Sequence, residues 1–272
     1  MNTHTTICRF AVPNSAIFMP RGQEKIRGRM TTPNKNPSMR MNYLIRRKQD
    51  ASREELLVHW FANHMPAVIK GQAEQKEKGR AHAHKYLATV FEESAQQIGE
   101  HWDGMAQLWW DKELPTPDEP HGITPVDTFQ EIAEPYSPWA THEYLVIDGD
   151  HGFRDITLND AFPTTSSEFF KATFFVSAKK DVDYDQLFQH WLGAHAANAK
   201  SVLEKTGGFR YVIAHSTQPK TSKYVGMAEL YFSRRDQFLD FNKTLQPDGM
   251  EKWIDAEKMS VLVSTTKMIG IP

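Results

Sequence analysis

Cysteine is nearly absent. Of 272 residues only Cys8 carries a thiol, so no disulfide can form within the chain. Long apolar runs are missing as well: no stretch approaches the roughly 18 residues that cross a bilayer as a helix, so no membrane partner is expected. An excess of either charge is also lacking, with 32 Lys and Arg against 34 Asp and Glu and a formal net charge of −2. That balance offers no electrostatic footing for nucleic acid or an anionic membrane. No Gly-rich phosphate loop, nucleophile elbow, Cys-His pair or dinucleotide fingerprint occurs, so a bound nucleotide is not expected. What remains is 40% hydrophobic and 24% charged, the profile of a soluble globular chain. A cytoplasmic location is the expectation.

Residues 1–40 differ from the rest. They hold seven basic residues (Arg9, Arg21, Lys25, Arg27, Arg29, Lys35, Arg40) against one acid, Glu24, and four prolines. Proline forbids a long helix there, and the segment is expected to be a disordered or processed leader that adds nothing to the fold. An Arg-rich, acid-poor start also suits an organelle transit peptide.

The remainder repeats itself. His59-Trp60-Phe61-Ala62-Asn63-His64 recurs as His190-Trp191-Leu192-Gly193-Ala194-His195, 131 residues later. Lys85-Tyr86-Leu87 is matched by Arg210-Tyr211-Val212, and Gly104-Met105-Ala106-Gln107-Leu108-Trp109-Trp110 by Gly226-Met227-Ala228-Glu229-Leu230-Tyr231-Phe232. Three matches in one order mark a duplication. Each copy reads strand, helix, strand, strand, helix, strand, the split βαβ order. In the first copy the strands are expected at Met41–Arg47, Lys85–Phe91, Met105–Trp110 and Tyr144–Ile147. Ser52 opens the first helix with Glu55 three residues on, a capping box. The second copy places strands at Ala172–Ala178, Phe209–His215, Met227–Phe232 and Val261–Met268, with Asp183 capping its first helix. The domains are therefore 41–147 and 170–272, joined by a linker over 148–169. Leu114–Trp139, with six prolines, is a loop-rich insertion in the first copy alone.

The candidate chemistry lies in the repeated segment. Leu56, Leu57, Trp60, Phe61 and Val68 share one helix face at 100° per residue, and His64 falls near its centre. His195 repeats the placement among Leu187, Phe188, Trp191 and Leu192. An imidazole on an apolar face needs a partner, so two readings stay open: a strut satisfied by a carbonyl or carboxylate, or a general acid/base. His59 and His190 lie roughly 140° away from these, which suits no metal chelate, and no metal site is expected. Pro66 should bend the first helix, and Ala197 should leave the second straighter. Tyr86 and Tyr211 hold matching strand positions from which a phenol can enter a pocket. His82, His84 and His142 cluster in the first copy, against His215 in the second.

Arg46-Arg47-Lys48, Ser52-Arg53-Glu54-Glu55, His59-Trp60-x-x-x-His64 with Pro66, Gly104-Met105-Ala106-Gln107-Leu108-Trp109 and His142-Glu143 together resemble the signature of the EthD family. The second copy keeps the His190-Trp191-x-x-x-His195 and Gly226-Met227-Ala228 portions but lacks the proline and the closing His-Glu. The resemblance covers residues from about 41 to 270. It implies an α+β chain of two ferredoxin-like βαββαβ halves packed sheet to sheet as an intramolecular dimeric α/β barrel, a monomeric pseudo-dimer that could assemble further. It also implies an enzyme without bound cofactor acting on a hydrophobic or aromatic small molecule, of lyase, cyclase, decarboxylase or monooxygenase type. His64, Tyr86 and His195 are then the catalytic candidates. Trp60, His59, His84, Trp109, Trp191 and Tyr211 are the substrate-binding ones. A non-catalytic small-molecule carrier and a haem protein are the competing expectations. The fuller pattern of the first copy assigns the active pocket to it.

Overall fold

Alternating apolar residues build eight principal strands, and the computed structural model places them in residues 32–93, 99–149, 156–157 and 167–271, the portion described. The first half holds β1 (Asn34–Ile45), α1 (Arg53–His59), α2 (Met65–Glu77), β2 (Lys85–Val90), β3 (Gly104–Trp110), α3 (Thr128–Ile132) and β4 (Trp139–Ile147). After the short β5 (Ile156–Thr157), the second half holds β6 (Phe170–Val176), α4 (Tyr184–His190), α5 (Ala196–Lys205), β7 (Gly208–Ser216), β8 (Gly226–Phe232) and α6 (Arg235–Thr244). It ends in β9 (Ser260–Ser264) and β10 (Thr266–Ile271). Both first helices start where the sequence predicts. Ser52 and Glu55 form a reciprocal capping box, and Asp183 accepts from the Gln186 amide.

The strands run in the order β5-β10-β2-β3-β1-β4-β7-β8-β6-β9. Within each half this is the ferredoxin-like order, β2-β3-β1-β4 and β7-β8-β6-β9. The halves join edge to edge where β4 pairs antiparallel with β7. The other seam is closed by the last strand of the chain. Its first part, β9, pairs with β6, and after the single residue Thr265 its second part, β10, pairs with β2. Across that seam the Glu92 amide donates to the Val263 carbonyl (2.8 Å). The result is a dimeric α/β barrel closed within one chain, with the helices outside and a second core inside. Outside the sheet, Trp60, Tyr86 and Phe129 belong to one apolar cluster and Trp191, Tyr211 and Ile213 to another. Inside, Phe91, Met105, Phe175, Met227 and Leu262 draw on both halves. Among the described residues no helix is long and apolar enough to cross a membrane.

Two expectations change. β1 begins at Asn34, so the leader cannot extend to residue 40; the last part of that segment is strand, and Arg40 is buried inside the barrel. The basic residues that made it look like a leader include one that the interior uses. Residues 1–31 lie outside the described residues, as does most of the linker. The second change concerns the helices. Both copies contain a five-residue π turn, Trp60–His64 and Trp191–His195, between their paired α segments. Since Ala197 follows the second, Pro66 is accommodated by the wide turn rather than being its cause. A chain beginning at Met41 is expected to melt far below one beginning at Asn34, because it lacks Arg40 and half of β1; equal melting temperatures would show that this segment is dispensable.

Candidate functional site

The repeated motif is first of all an architectural clip. Trp60 is fully buried on the helix-facing side of the sheet, and its indole N–H donates to the Tyr86 hydroxyl (3.2 Å). Its ring lies over Gly104, where an added Cβ would come within 2.5 Å of Trp60 Cζ3. Trp191 lies likewise over Gly226, with the corresponding distance 2.9 Å. A large ring on the helix therefore requires a bare backbone on the strand beneath it, which explains why the tryptophan and the glycine recur together. Tyr86, a catalytic candidate on the sequence, is buried and occupied by Trp60, and burial pushes its phenol well above the usual range. Tyr211 is buried in the same way, its phenol also pushed up by desolvation.

The histidines do not lie beneath the helices. The extra residue of each π turn shifts the helical phase, and His64 reaches sideways to Asp127, Nδ1 to Oδ2 at 2.6 Å, with 16% of its side chain exposed. Asp127 is also the N-cap of α3, accepting from the Gln130 amide (2.9 Å). His59 and Asn63 meet Thr128 in the next position (2.7 and 2.9 Å). One turn of the first helix thus holds the start of α3, which belongs to the proline-rich insertion.

That insertion surrounds His64 with aromatic and titratable groups. The His64 ring packs on Phe129 (4.5 Å between centroids), Phe129 on Tyr136 (6.0 Å), and Tyr136 on both His121 (5.5 Å) and Tyr43 (6.1 Å). Desolvation raises the Tyr43 and Tyr136 phenols to about 12, so both stay protonated donors near neutrality. His121 is held below its ordinary value by desolvation and then by nearby His64.

The second half is arranged differently. Asp248 takes His195 Nδ1 (2.8 Å), His190 Nε2 (3.3 Å), Asn198 Nδ2 (3.0 Å) and the Met250 amide (3.2 Å). Burial alone would raise this carboxyl, but hydrogen bonds from His195 and Asn198 outweigh it and hold it far below the usual range. With four donors on one carboxylate, His195 is tied as a strut. His215, buried between Phe188 (4.1 Å, stacked) and Trp191 (4.9 Å), is pushed down to about 3 by desolvation and is neutral at physiological pH.

The remaining candidates scatter. Strand alternation sends Trp109 into the barrel, where its indole faces Glu143 (3.4 Å), on the opposite side of the sheet from Tyr86 and away from the His64 cluster. His84 is exposed at the end of the barrel beside Ser38. His82 is partly buried and turned to the Arg80 carbonyl.

Sequence reasoning missed the polar centre of the barrel. Arg40 Nη1 donates to Glu143 (2.8 Å) and Glu229 (2.6 Å), Lys171 Nζ to Glu229 (2.5 Å), and Gln107 Nε2 to Glu229 (3.3 Å). Arg40 and Lys171 occupy equivalent positions in the two copies, as do Gln107 and Glu229. The signal was present: single charges interrupt the apolar runs Phe170-Lys171-Ala172 and Ala228-Glu229-Leu230. Among the described residues no group of three or more His, Cys, Asp or Glu side chains is placed to hold a metal ion.

No protein-family model matches the chain, and no curated protein matches it. Among solved structures, a single-substitution mutant of chlorite dismutase from Candidatus Nitrospira defluvii is similar over 86% of this chain and 93% of its own, at 9% identity and a TM-score of 0.43. A candidate monooxygenase from Fusobacterium nucleatum subsp. nucleatum is similar over 85% and 94%, at 10% identity and a TM-score of 0.38. Likenesses this loose carry no argument about chemistry, so the function rests on the residues of this chain.

Proposed function

We propose that the chain is an EthD-like enzyme acting on a hydrophobic or aromatic small molecule, with His64 of the first half as its general acid/base. The observation that carries this reading is the 2.6 Å contact between His64 Nδ1 and Asp127 Oδ2. A carboxylate on one ring nitrogen selects the tautomer and orients the ring, leaving the other nitrogen to exchange a proton. Such an imidazole performs the proton transfers of lyase, cyclase or cofactor-independent monooxygenase chemistry. Support also comes from the surroundings. The partly exposed His64 ring sits on Phe129 in a cluster with Tyr136, Tyr43 and His121, groups that suit a planar apolar molecule with an acidic hydrogen. Asp127, Phe129, Tyr136 and His121 all come from the insertion, which the second half lacks, and there the equivalent histidine is bound to a saturated carboxylate.

The test uses a ligand found by thermal-shift screening of small aromatic compounds. His64→Ala is expected to remove turnover by about 100-fold or more while the protein stays folded. Asp127→Asn should lose about 10- to 100-fold through misorientation of the ring. His195→Ala should keep most of its activity. A folded, inactive His195→Ala beside an active His64→Ala would move the site to the other half. Binding without turnover in the wild type would make the chain a carrier.

A further inference from the structure

We propose that Ser38, His84 and Asp111 form a separate nucleophilic site that cleaves small, unhindered esters. Ser38 Oγ lies 3.1 Å from His84 Nε2, and His84 Nδ1 lies 3.7 Å from Asp111 Oδ1. These are the atoms through which a serine nucleophile, its imidazole base and an orienting carboxylate communicate. The three residues are far apart in sequence and meet because β2, β3 and β1 are neighbours in the sheet. Ser38 precedes Met39, which pairs with Trp110; Asp111 follows Trp110; and His84 precedes Lys85, which pairs with Trp109. All three therefore sit at one end of the barrel.

The serine is held in place. The register of β1 against β4 shifts between Lys35 and Met39, so Ser38 lies in an irregularity of the strand. Interruptions of this kind re-aim a side chain out of the ladder. The Ser38 amide donates to Asn36 Oδ1 (3.0 Å), Asn36 Nδ2 donates to Glu143 Oε1 (2.8 Å), and Glu143 is anchored by buried Arg40 (2.8 Å). The serine is thus tied through two side chains to the polar centre of the barrel. On the other side, the His84 amide donates to the Trp109 carbonyl (3.0 Å). A nucleophile on strand ends braced this way is positioned by rigid elements rather than by a loose loop.

Exposure sets the substrate class. His84 is 40% and Asp111 91% exposed, so the site meets its substrate from solvent, and small esters are the probes it can reach without a binding pocket. In the tautomer that carries its proton on Nδ1, the nitrogen on the Asp111 side, His84 accepts the Ser38 hydroxyl proton at Nε2 as Oγ bonds to the acyl carbon. The imidazolium returns that proton to the leaving alkoxide as the ester C–O bond breaks. Water, deprotonated by His84, then attacks the acyl-serine; the carboxylic acid departs and Ser38 regains its proton. Nothing beyond ester and water is consumed. The His64 site takes no part.

The experiment uses the full-length protein with two probes, a fluorophosphonate that labels nucleophilic serines and 4-nitrophenyl acetate. Labelling is expected at Ser38, located by peptide mass spectrometry, together with ester turnover. Ser38→Ala should abolish both, His84→Ala should lower both by about 100-fold, and Asp111→Asn should lower them by a smaller factor. An unlabelled wild type, labelling that survives Ser38→Ala, or rates indifferent to His84→Ala would each overturn the assignment.

Discussion

Replacing Glu229 by Ala is expected to destabilise the protein by about 3–5 kcal/mol, the scale on which a buried ion pair fails when one partner is removed. Arg40 and Lys171 are both buried, and Glu229 touches both. Burial by itself would lower the two cations, but Glu229, joined by Glu143 at Arg40 and by Tyr231 at Lys171, outweighs it and holds each above its ordinary range. Without the carboxylate, Lys171 loses its ion-pair partner and Arg40 keeps only Glu143, so net positive charge remains in a water-poor interior. Urea or thermal denaturation reads the effect directly, and a loss below about 1 kcal/mol, the range of exposed pairs, would show that solvent reaches the cluster. Converting Glu229, Arg40, Lys171 and Glu143 together to apolar residues of similar volume should recover much of the loss, since the cost lies in the unpaired charge.

The same cluster predicts a pH dependence. Burial raises the Glu229 carboxyl, but Lys171 and then Arg40 dominate and hold it down to about 2. A carboxyl whose folded value is depressed contributes stability that is present above its ordinary value and lost as pH falls toward the folded one. The contribution of Glu229 should therefore be complete above about 4.5 and disappear toward 2. Glu229→Gln should flatten that part of the stability profile.

The second large effect is expected at the tryptophan–glycine pairs. Trp60→Ala should cost about 3–5 kcal/mol, as for other fully buried large aromatics, and Trp191→Ala a similar amount. Gly104→Ala should cost about 1–3 kcal/mol or more by overpacking, because its Cβ would meet Trp60 Cζ3 at 2.5 Å and the Thr89 carbonyl at 2.8 Å. The double variant Trp60→Ala, Gly104→Ala should cost less than the sum, since the removed indole vacates part of the space the methyl needs. Strict additivity would mean that the two do not share a contact. A Trp60→Ala protein of unchanged stability but altered activity would return the motif to chemistry.

Several features were legible because they are local. The duplication, the capped helix starts at Ser52 and Asp183, and the strand positions follow from residue patterns a few positions long, and β2, β3, β7 and β8 agree with expectation to within a residue at each end. Errors gathered where partners are distant. β4 starts at Trp139 rather than Tyr144 because its first residues pair with β1, about a hundred positions earlier. The last strand looked single, yet it divides at Thr265 because its two parts pair with strands of different halves.

The site separates along the same line. Sequence by itself determined that His64 and His195 are equivalent, since one helical motif carries both, and that the halves diverged, since only one bears the proline-rich insertion. Only the tertiary structure decided what each histidine meets. Asp127 is 63 residues from His64 and Asp248 is 53 from His195, and nothing in the intervening spacing marks either carboxylate as a partner. Arg40 is the sharpest case. Composition placed it in a basic leader, whereas the fold buries it against Glu229, 189 residues away, because closing the barrel brings the inner faces of the two halves together and a charge taken out of water must find its opposite there.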